Sequence, residues 1–238
     1  MGRAYEVRKA SIQKTGASKA KLYSMYAKEI YQSAKQGGVE IEGNATLKRL
    51  IERAKKEQVP ADIIKRAIDK VNSGILENYD AVRYEIFGPG GATLIVECLT
   101  DNVNRTLSYI RPALNKNNGQ MGKTGSVAYM YDHLCVVGFK GLTEDETLEL
   151  MIENDIDIID IMVKDSIIVY GKPTDLFKIK AAINNKIPHI NFDIDEIEMK
   201  PKDQIVLEGE ASEQFEKMLI MLDDVSDVKQ VYHNVLIK

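Results

Sequence analysis

The chain has 238 residues, of which 44% are hydrophobic and 29% charged, ordinary figures for a soluble globular protein of one large domain or a few small ones. No run approaches the roughly 20 apolar residues of a membrane span, and the start "MGRAYEVRKASIQKTG" lacks the apolar core of a signal peptide. Cys98 and Cys135 form no CxxC pair, so a cytoplasmic protein is expected.

The net charge of −4 hides an asymmetry. Residues 1–74 carry 16 Lys and Arg against 8 Asp and Glu, a net +8, and residues 75–238 carry 16 against 28, a net −12. Such a split predicts a basic module that meets a polyanion, attached to an acidic body that repels one.

Three helices are expected first. Leu22, Tyr26, Ile30 and Ala34 recur every four residues in "SKAKLYSMYAKEIYQSAKQ", which Gly37 and Gly38 should end. Asn44 can cap a second helix with Leu47, Leu50, Ile51 and Ala54 inward. Pro60 and Asp62 suit the first turn of a third, with Ile64, Ala67, Ile68 and Val71 inward and Gly74 as its stop. Residues 1–17 show no periodicity and read as a basic arm.

After Gly74 the period shortens to that of strands. "VRYEIFG" and "ATLIVECLT" read as strands, "NVNRTLSYIRPALNKN" as a helix that Pro112 should kink or end early, and "GSVAYMYD" as a third strand. Next come "LCVVGFK", "TEDETLELMIEN", "DIDIIDIMV", "SIIVYGK", "PTDLFKIKAAINNK" and "INFDIDEIEMK", in the β-α-β-β-α-β order of a ferredoxin-like unit. The tail offers "QIVLEG", a helix around "EQFEKMLIML" and a strand in "VKQVYHNVLI". The expected fold is α/β (α+β), an N-terminal three-helix domain plus two α/β domains. Residues 1–75 form the basic helical domain, 79–132 and 201–238 a discontinuous α/β domain, and 133–200 a ferredoxin-like domain inserted in it.

Two glycine clusters invite a phosphate-loop reading. In "FGPGGATLIVECLT" the glycines precede a strand, so no helix N-terminus can face an anion there. Gly88, Pro89, Gly90 and Gly91 read as a hairpin turn that needs positive φ. In "GQMGKTGS", Gly122-Lys123-Thr124 imitates the end of a Walker A motif, but Asn117 stands where its first glycine belongs. Asp155, Asp157 and Asp160 alternate with isoleucine as on a half-exposed strand and lack the glycine of an EF-hand loop. His133, His189 and His233 show no metal-ligand spacing, and His233 is expected at an exposed strand position. No nucleophile stands beside a base. No catalytic residue, metal, cofactor or small-molecule substrate is expected.

The basic arm is different. From Val7 to Lys28 the chain carries Arg8, Lys9, Lys14, Lys19, Lys21 and Lys28 with no acid, interleaved with Tyr23 and Tyr26 and flanked by Tyr5 and Tyr31. Lysines neutralise phosphates and aromatic rings stack on unpaired bases, while Tyr26 is in phase with the core. Lys48, Arg49, Arg53, Lys55, Lys56, Lys65 and Arg66 add charge on the next helices. The expected partner is nucleic acid, DNA or the rRNA of the ribosome, with no membrane. No heptad seam argues for self-association, so a monomer is expected.

"MGRAYEVRKASIQKTGASKAKLYSMYAKEIYQSAKQGG", "ERAKKEQVPADIIKRAIDK", "YEIFGPGGATLIVECLTDNVNRT", "GSVAYMYD" and "VYHNV" together resemble the YebC/PmpR family, close to its YeeN branch, nearly end to end. The resemblance implies a helical domain and two α/β domains, one inserted in the other. It implies a cytoplasmic, DNA-binding transcriptional regulator. Alternatively it implies a ribosome-associated translation factor that relieves stalling at proline-rich stretches, as for relatives such as the mitochondrial translational activator of cytochrome c oxidase. It places the family's basic surface on Arg3, Lys14, Lys19, Lys21 and Lys28. Tyr5, Glu6 and Val7 replace the commoner W-A-N-I, and Met25 stands where the family usually has lysine.

Overall fold

The computed structural model describes residues 16–74 and 76–236. The chain divides into two compact units, one holding the chain up to Ala128 together with Gln204 onward, the other Tyr129–Asp203.

The first unit opens with three helices, α1 (Gly16–Gly37), α2 (Ala45–Lys56) and α3 (Ala61–Asn72). The period-four stripe of α1 is its core face: Leu22, Tyr26, Ile30 and Ala34 bury against Leu47, Leu50, Ile51 and Ala54 of α2 and Ile64 and Ala67 of α3. Asn44 makes the α1–α2 corner. Its Oδ1 accepts from Leu47 N at 3.0 Å, and its Nδ2 donates to Ser33 O and Gly38 O, both at 2.9 Å. The corner needs its glycines. Gly38 has φ +91°, and a Cβ on Gly37 would stand 2.6 Å from the Asn44 amide nitrogen.

A four-stranded antiparallel sheet follows, built from β1 (Asp80–Phe87), β2 (Thr93–Thr100), β3 (Gln120–Met121) and β8 (Val228–His233) in the order β3-β1-β2-β8. Helices α4 (Val103–Asn115) and α7 (Gly209–Asp223) bury Ile110, Leu114, Phe215, Met218 and Leu222 against Ile86, Leu94, Val96 and Cys98. Strand β2 is also buried on its other side at Thr93, Ile95 and Leu99, which is why it reads as a continuous apolar run rather than an alternation. The proline–glycine cluster is the β1–β2 hairpin turn. Gly88 N donates to Ala92 O at 2.7 Å, and Gly90 and Gly91 take φ of +63° and +83°.

Two expectations need correction here, for α4 and for "GSVAYMYD". Helix α4 runs past Pro112 to Asn115. Pro112 is exposed and so is Ser108, whose carbonyl loses its i+4 donor and meets solvent instead, so the proline is tolerated. "GSVAYMYD" is not a strand before Tyr131. Residues 124–127 are turn and Ala128–Met130 a 3-10 turn, because their amides are engaged elsewhere, as shown below. The third strand is instead the two-residue β3. "QIVLEG" supplies only a parallel bridge from Ile205 to Val235.

The second unit runs β4 (Tyr131–Phe139), α5 (Glu144–Glu153), β5 (Ile158–Val163), β6 (Ile167–Gly171), α6 (Leu176–Lys186), β7 (Ile194–Pro201). Its sheet order β5-β6-β4-β7 is the ferredoxin-like arrangement, with the first and third strands of the unit central. Thr143 and Glu146 form a capping box at the start of α5. Cys135, Val137, Phe139 and Val169 face Leu150, Met151, Ile179 and Ile183 in one core. Among the described residues no helix is long and apolar enough to cross a membrane.

Candidate nucleic-acid interface

Helix α1 carries a second stripe that is tied to the rest of the first unit. Beyond the core stripe, Lys21, Met25, Lys28 and Lys35 fall at i, i+4, i+7 and i+14, on one line along the helix. This second stripe holds α1 to the α/β part of the first unit. Met25 is 3% exposed, so the family's usual lysine position is here a packing position. Lys28 reaches Asp227 Oδ1 at 2.8 Å and Leu99 O at 3.3 Å. Lys21 binds the backbone oxygen of Asp223 and, at 3.1 Å, its Oδ1. It thereby caps the negative end of α7 with a cation. Lys35 donates to Glu77 O at 2.9 Å and Asn78 Oδ1 at 2.8 Å. Glu29 of the same helix pairs with Lys229.

Asp227 is the centre of this junction. Its side chain is 2% exposed. It accepts from Lys28 at 2.8 Å, Thr106 Oγ1 at 2.8 Å, Thr100 Oγ1 at 3.2 Å and Arg105 at 3.2 Å. Burial alone would raise its pKa, but the bonds from Lys28 and Thr106, the charge of Lys28 and the bond from Arg105 together hold it below the usual carboxylate value.

Of the cations expected to meet nucleic acid, Arg3, Arg8, Lys9 and Lys14 lie outside the described residues. Lys19 is exposed on α1. Lys21 and Lys28 point into the junction. On the next helices Lys48 pairs with Glu42 at 2.6 Å and Arg66 with Asp62. Arg49 is 8% exposed. Lys55 and Lys65 are exposed. The tyrosines are not a stacking platform. Tyr26 and Tyr31 are 2% and 3% exposed, Tyr31 Oη accepts from Glu77 N at 2.9 Å, and Tyr23 packs on the helical core. Tyr5 lies outside the described residues.

The Walker-like loop is an anion nest with its anion built in. Glu85 is 6% exposed, and its carboxylate accepts from Gly125 N and Val127 N at 2.6 Å and Ala128 N at 2.8 Å. Burial raises its pKa, yet the three amides together prevail and lower it. The converging amides that a phosphate would need are taken by this side chain. Sequence reasoning missed Glu85, because nothing near it in sequence marks the loop it fills. His233 is also corrected. It packs edge-on against Phe215 at 5.2 Å between ring centroids. Burial pushes its pKa down to about 4, so it is a neutral packing residue and not an exposed one.

Fold and surface thus define a class: a basic helical module clamped by ion pairs to an antiparallel α/β sheet, with a ferredoxin-like unit set into the chain. The chain belongs to the TACO1/YebC family. Residues 3–74 match the model of the TACO1/YebC protein N-terminal domain and residues 79–235 that of the TACO1/YebC second and third domain. It is 48% identical over 239 residues to a "probable transcriptional regulatory protein" of Shewanella oneidensis, covering 100% of each chain. It is 47% identical over 235 residues to one of Vibrio campbellii, covering 98% of this chain and 99% of that one. The crystal structure of a conserved hypothetical protein from Aquifex aeolicus matches at a TM-score of 0.75 and 31% identity, over 95% of this chain and 96% of that one.

Proposed function

We propose that the protein is a non-enzymatic nucleic-acid-binding regulator, acting on DNA in the control of transcription through its basic helical module. The observation that carries this reading is the charge split of +8 against −12 about residue 74, supported by relatives named as probable transcriptional regulatory proteins. Lys19 on α1, Lys55 on α2 and Lys65 on α3 are among its exposed cations within the described residues, and the sequence before them carries Arg3, Arg8, Lys9 and Lys14. Lys21 and Lys28 support the interface from behind by fixing α1. The test is fluorescence anisotropy with labelled duplex DNA at low salt. Binding is expected to weaken steeply as salt rises and to fall when Lys14 and Lys19 are both changed to Gln. A protein that ignores duplex DNA at low salt, or binds it equally well after those changes, refutes the reading.

One observation favours a second reading, a ribosome-associated translation factor that grips rRNA and relieves stalling at proline-rich stretches. Tyr109, 54% exposed, stands on the solvent side of α4 where a ring suits unpaired RNA bases better than a duplex. Sedimentation of nuclease-treated lysate separates the two. Travel with ribosomes that ends as salt rises supports translation, and absence from ribosomes removes it.

A further inference from the structure

The acidic part of the chain contains one stretch without acids. Between Asp101 and Asp132 the sequence has no Asp or Glu and four cations, Arg105, Arg111, Lys116 and Lys123. The structure gathers these on α4 and the loop after it. Thr106, Ile110, Ala113 and Leu114 turn inward. Arg105, Tyr109 and Lys116 lie at i, i+4 and i+11, on one side of the solvent face, while Arg111, two residues from Tyr109, lies on the other flank of the helix. Arg111, Lys116 and Lys123 are exposed and have no ion-pair partner among the described residues. The loop that presents Lys123 is fixed by the three amide bonds to Glu85.

This face joins the basic module. Arg105, at the start of α4, and Lys28, on α1, bond to the two oxygens of the same carboxylate, Asp227, at 3.2 and 2.8 Å.

We infer that the solvent face of α4 and the loop to Lys123 form a second contact surface, for an unpaired nucleic-acid strand. Lys116 and Lys123 neutralise phosphates, and Tyr109, on the same side of α4 as Lys116, stacks on a base. The inference rests on the nucleic-acid-binding reading above and adds where, and in which form, the strand is held. Cations alone would take a duplex equally well. The exposed ring among them selects the unpaired strand, because only there is a base face open.

The experiment measures anisotropy of labelled oligouridylate, oligothymidylate and a duplex of equal length against salt, using the full chain. The Lys116→Gln/Lys123→Gln variant is expected to lower the single-strand salt slope by about 1.4, at roughly 0.7 for each phosphate left without its cation. Tyr109→Ala is expected to weaken single-strand binding roughly tenfold with the slope unchanged, and Tyr109→Phe to retain it. All of these side chains are exposed, and an unchanged thermal transition shows that each variant folds. Stronger loss on oligouridylate than on oligothymidylate identifies RNA as the strand, and the reverse identifies DNA. Wild-type affinity and slope in the α4 variants, with binding still abolished in Lys14→Gln/Lys19→Gln, overturns the second surface and leaves the basic-module reading standing. Equal loss on the duplex from Tyr109→Ala overturns the unpaired-strand assignment. No binding of any nucleic acid by the wild type overturns both readings together.

Discussion

Asp227→Ala should be among the most damaging single changes outside the apolar cores. The carboxylate is 2% exposed and is shared by Lys28, Thr100, Thr106 and Arg105. Its removal leaves Lys28, whose side chain is 15% exposed, as a nearly buried charge with Leu99 O at 3.3 Å and the face of Tyr79 at 5.6 Å beside it. Breaking a buried pair from one side costs about 3–5 kcal/mol. Lys28 keeps some access to water and Arg105 keeps Asp101, so the low end, about 3 kcal/mol, is expected here. For a unit of this size that lowers the melting temperature by roughly 6–12 °C. Lys28→Met in the Asp227→Ala background should restore about half of the loss, since it removes the orphaned charge and leaves the two threonine hydroxyls. The sign with pH follows from the lowered carboxyl pKa. The stabilisation is complete above the unfolded value of 3.8 and fades as pH falls through the lower folded value. The assay is a denaturant titration at neutral pH of the wild type, both single variants and the double variant. Asp227→Ala within about 0.5 kcal/mol of the wild type, or no recovery in the double variant, would refute the clamp.

Three further changes test other parts of the fold. Glu85→Ala strands three loop amides, at Gly125, Val127 and Ala128. It should cost about 3 kcal/mol, with faster hydrogen exchange confined to residues 122–128 as the local sign. Gly90→Ala should cost more than Gly91→Ala in thermal unfolding. Both need positive φ, but a Cβ on Gly90 would lie 2.7 Å from Leu207 Cδ2 and one on Gly91 meets nothing. Equal costs would mean that the backbone conformation, not the approach of the chain before α7, sets the requirement. Glu198 of β7 is 9% exposed, and burial, then the neighbouring Glu196, push its carboxyl up to about 7. A raised acid pKa favours folding below the unfolded value of 4.5 and penalises it as pH rises towards 7. Glu198→Gln should therefore match the wild type near pH 4.5 and exceed it by about 2 kcal/mol above neutrality, read by hydrogen exchange of the β4 and β7 amides. An unchanged pH profile would sink that reading.

Period and punctuation made most of the fold legible. The stripe Leu22–Tyr26–Ile30–Ala34, the Gly37–Gly38 stop and the Asn44 cap each name a local cause, and each appears in the structure with that cause. The β-α-β-β-α-β order sufficed for the ferredoxin-like sheet, because topology there follows from few alternatives. Illegible were the segments whose conformation is decided by a residue far away. Val127, Tyr129 and Tyr131 alternate like a strand, but the amides of Val127 and Ala128 go to Glu85, 42 and 43 residues earlier. Pro112 reads as a helix breaker until its side of α4 is known to face water.

The candidate site was legible as charge but not as geometry. A count of lysines cannot say which of them already have an acid. Asp223 and Asp227 lie 202 and 199 residues beyond Lys21 and Lys28. Part of the +8 against −12 split is thus complementarity within the molecule, not an unmet demand for a polyanion. The response of binding to salt should reflect this. The clamp at Asp227 is buried and poorly screened. Salt should therefore strip nucleic acid from exposed cations such as Lys19, Lys55, Lys65 and Lys116 long before it loosens α1. Far-ultraviolet circular dichroism and hydrogen exchange at Met25 and Lys28 should stay constant across a salt range that abolishes binding. If protection on α1 disappears in step with binding, the junction is opened by salt and Lys21 and Lys28 belong among the nucleic-acid-binding cations after all.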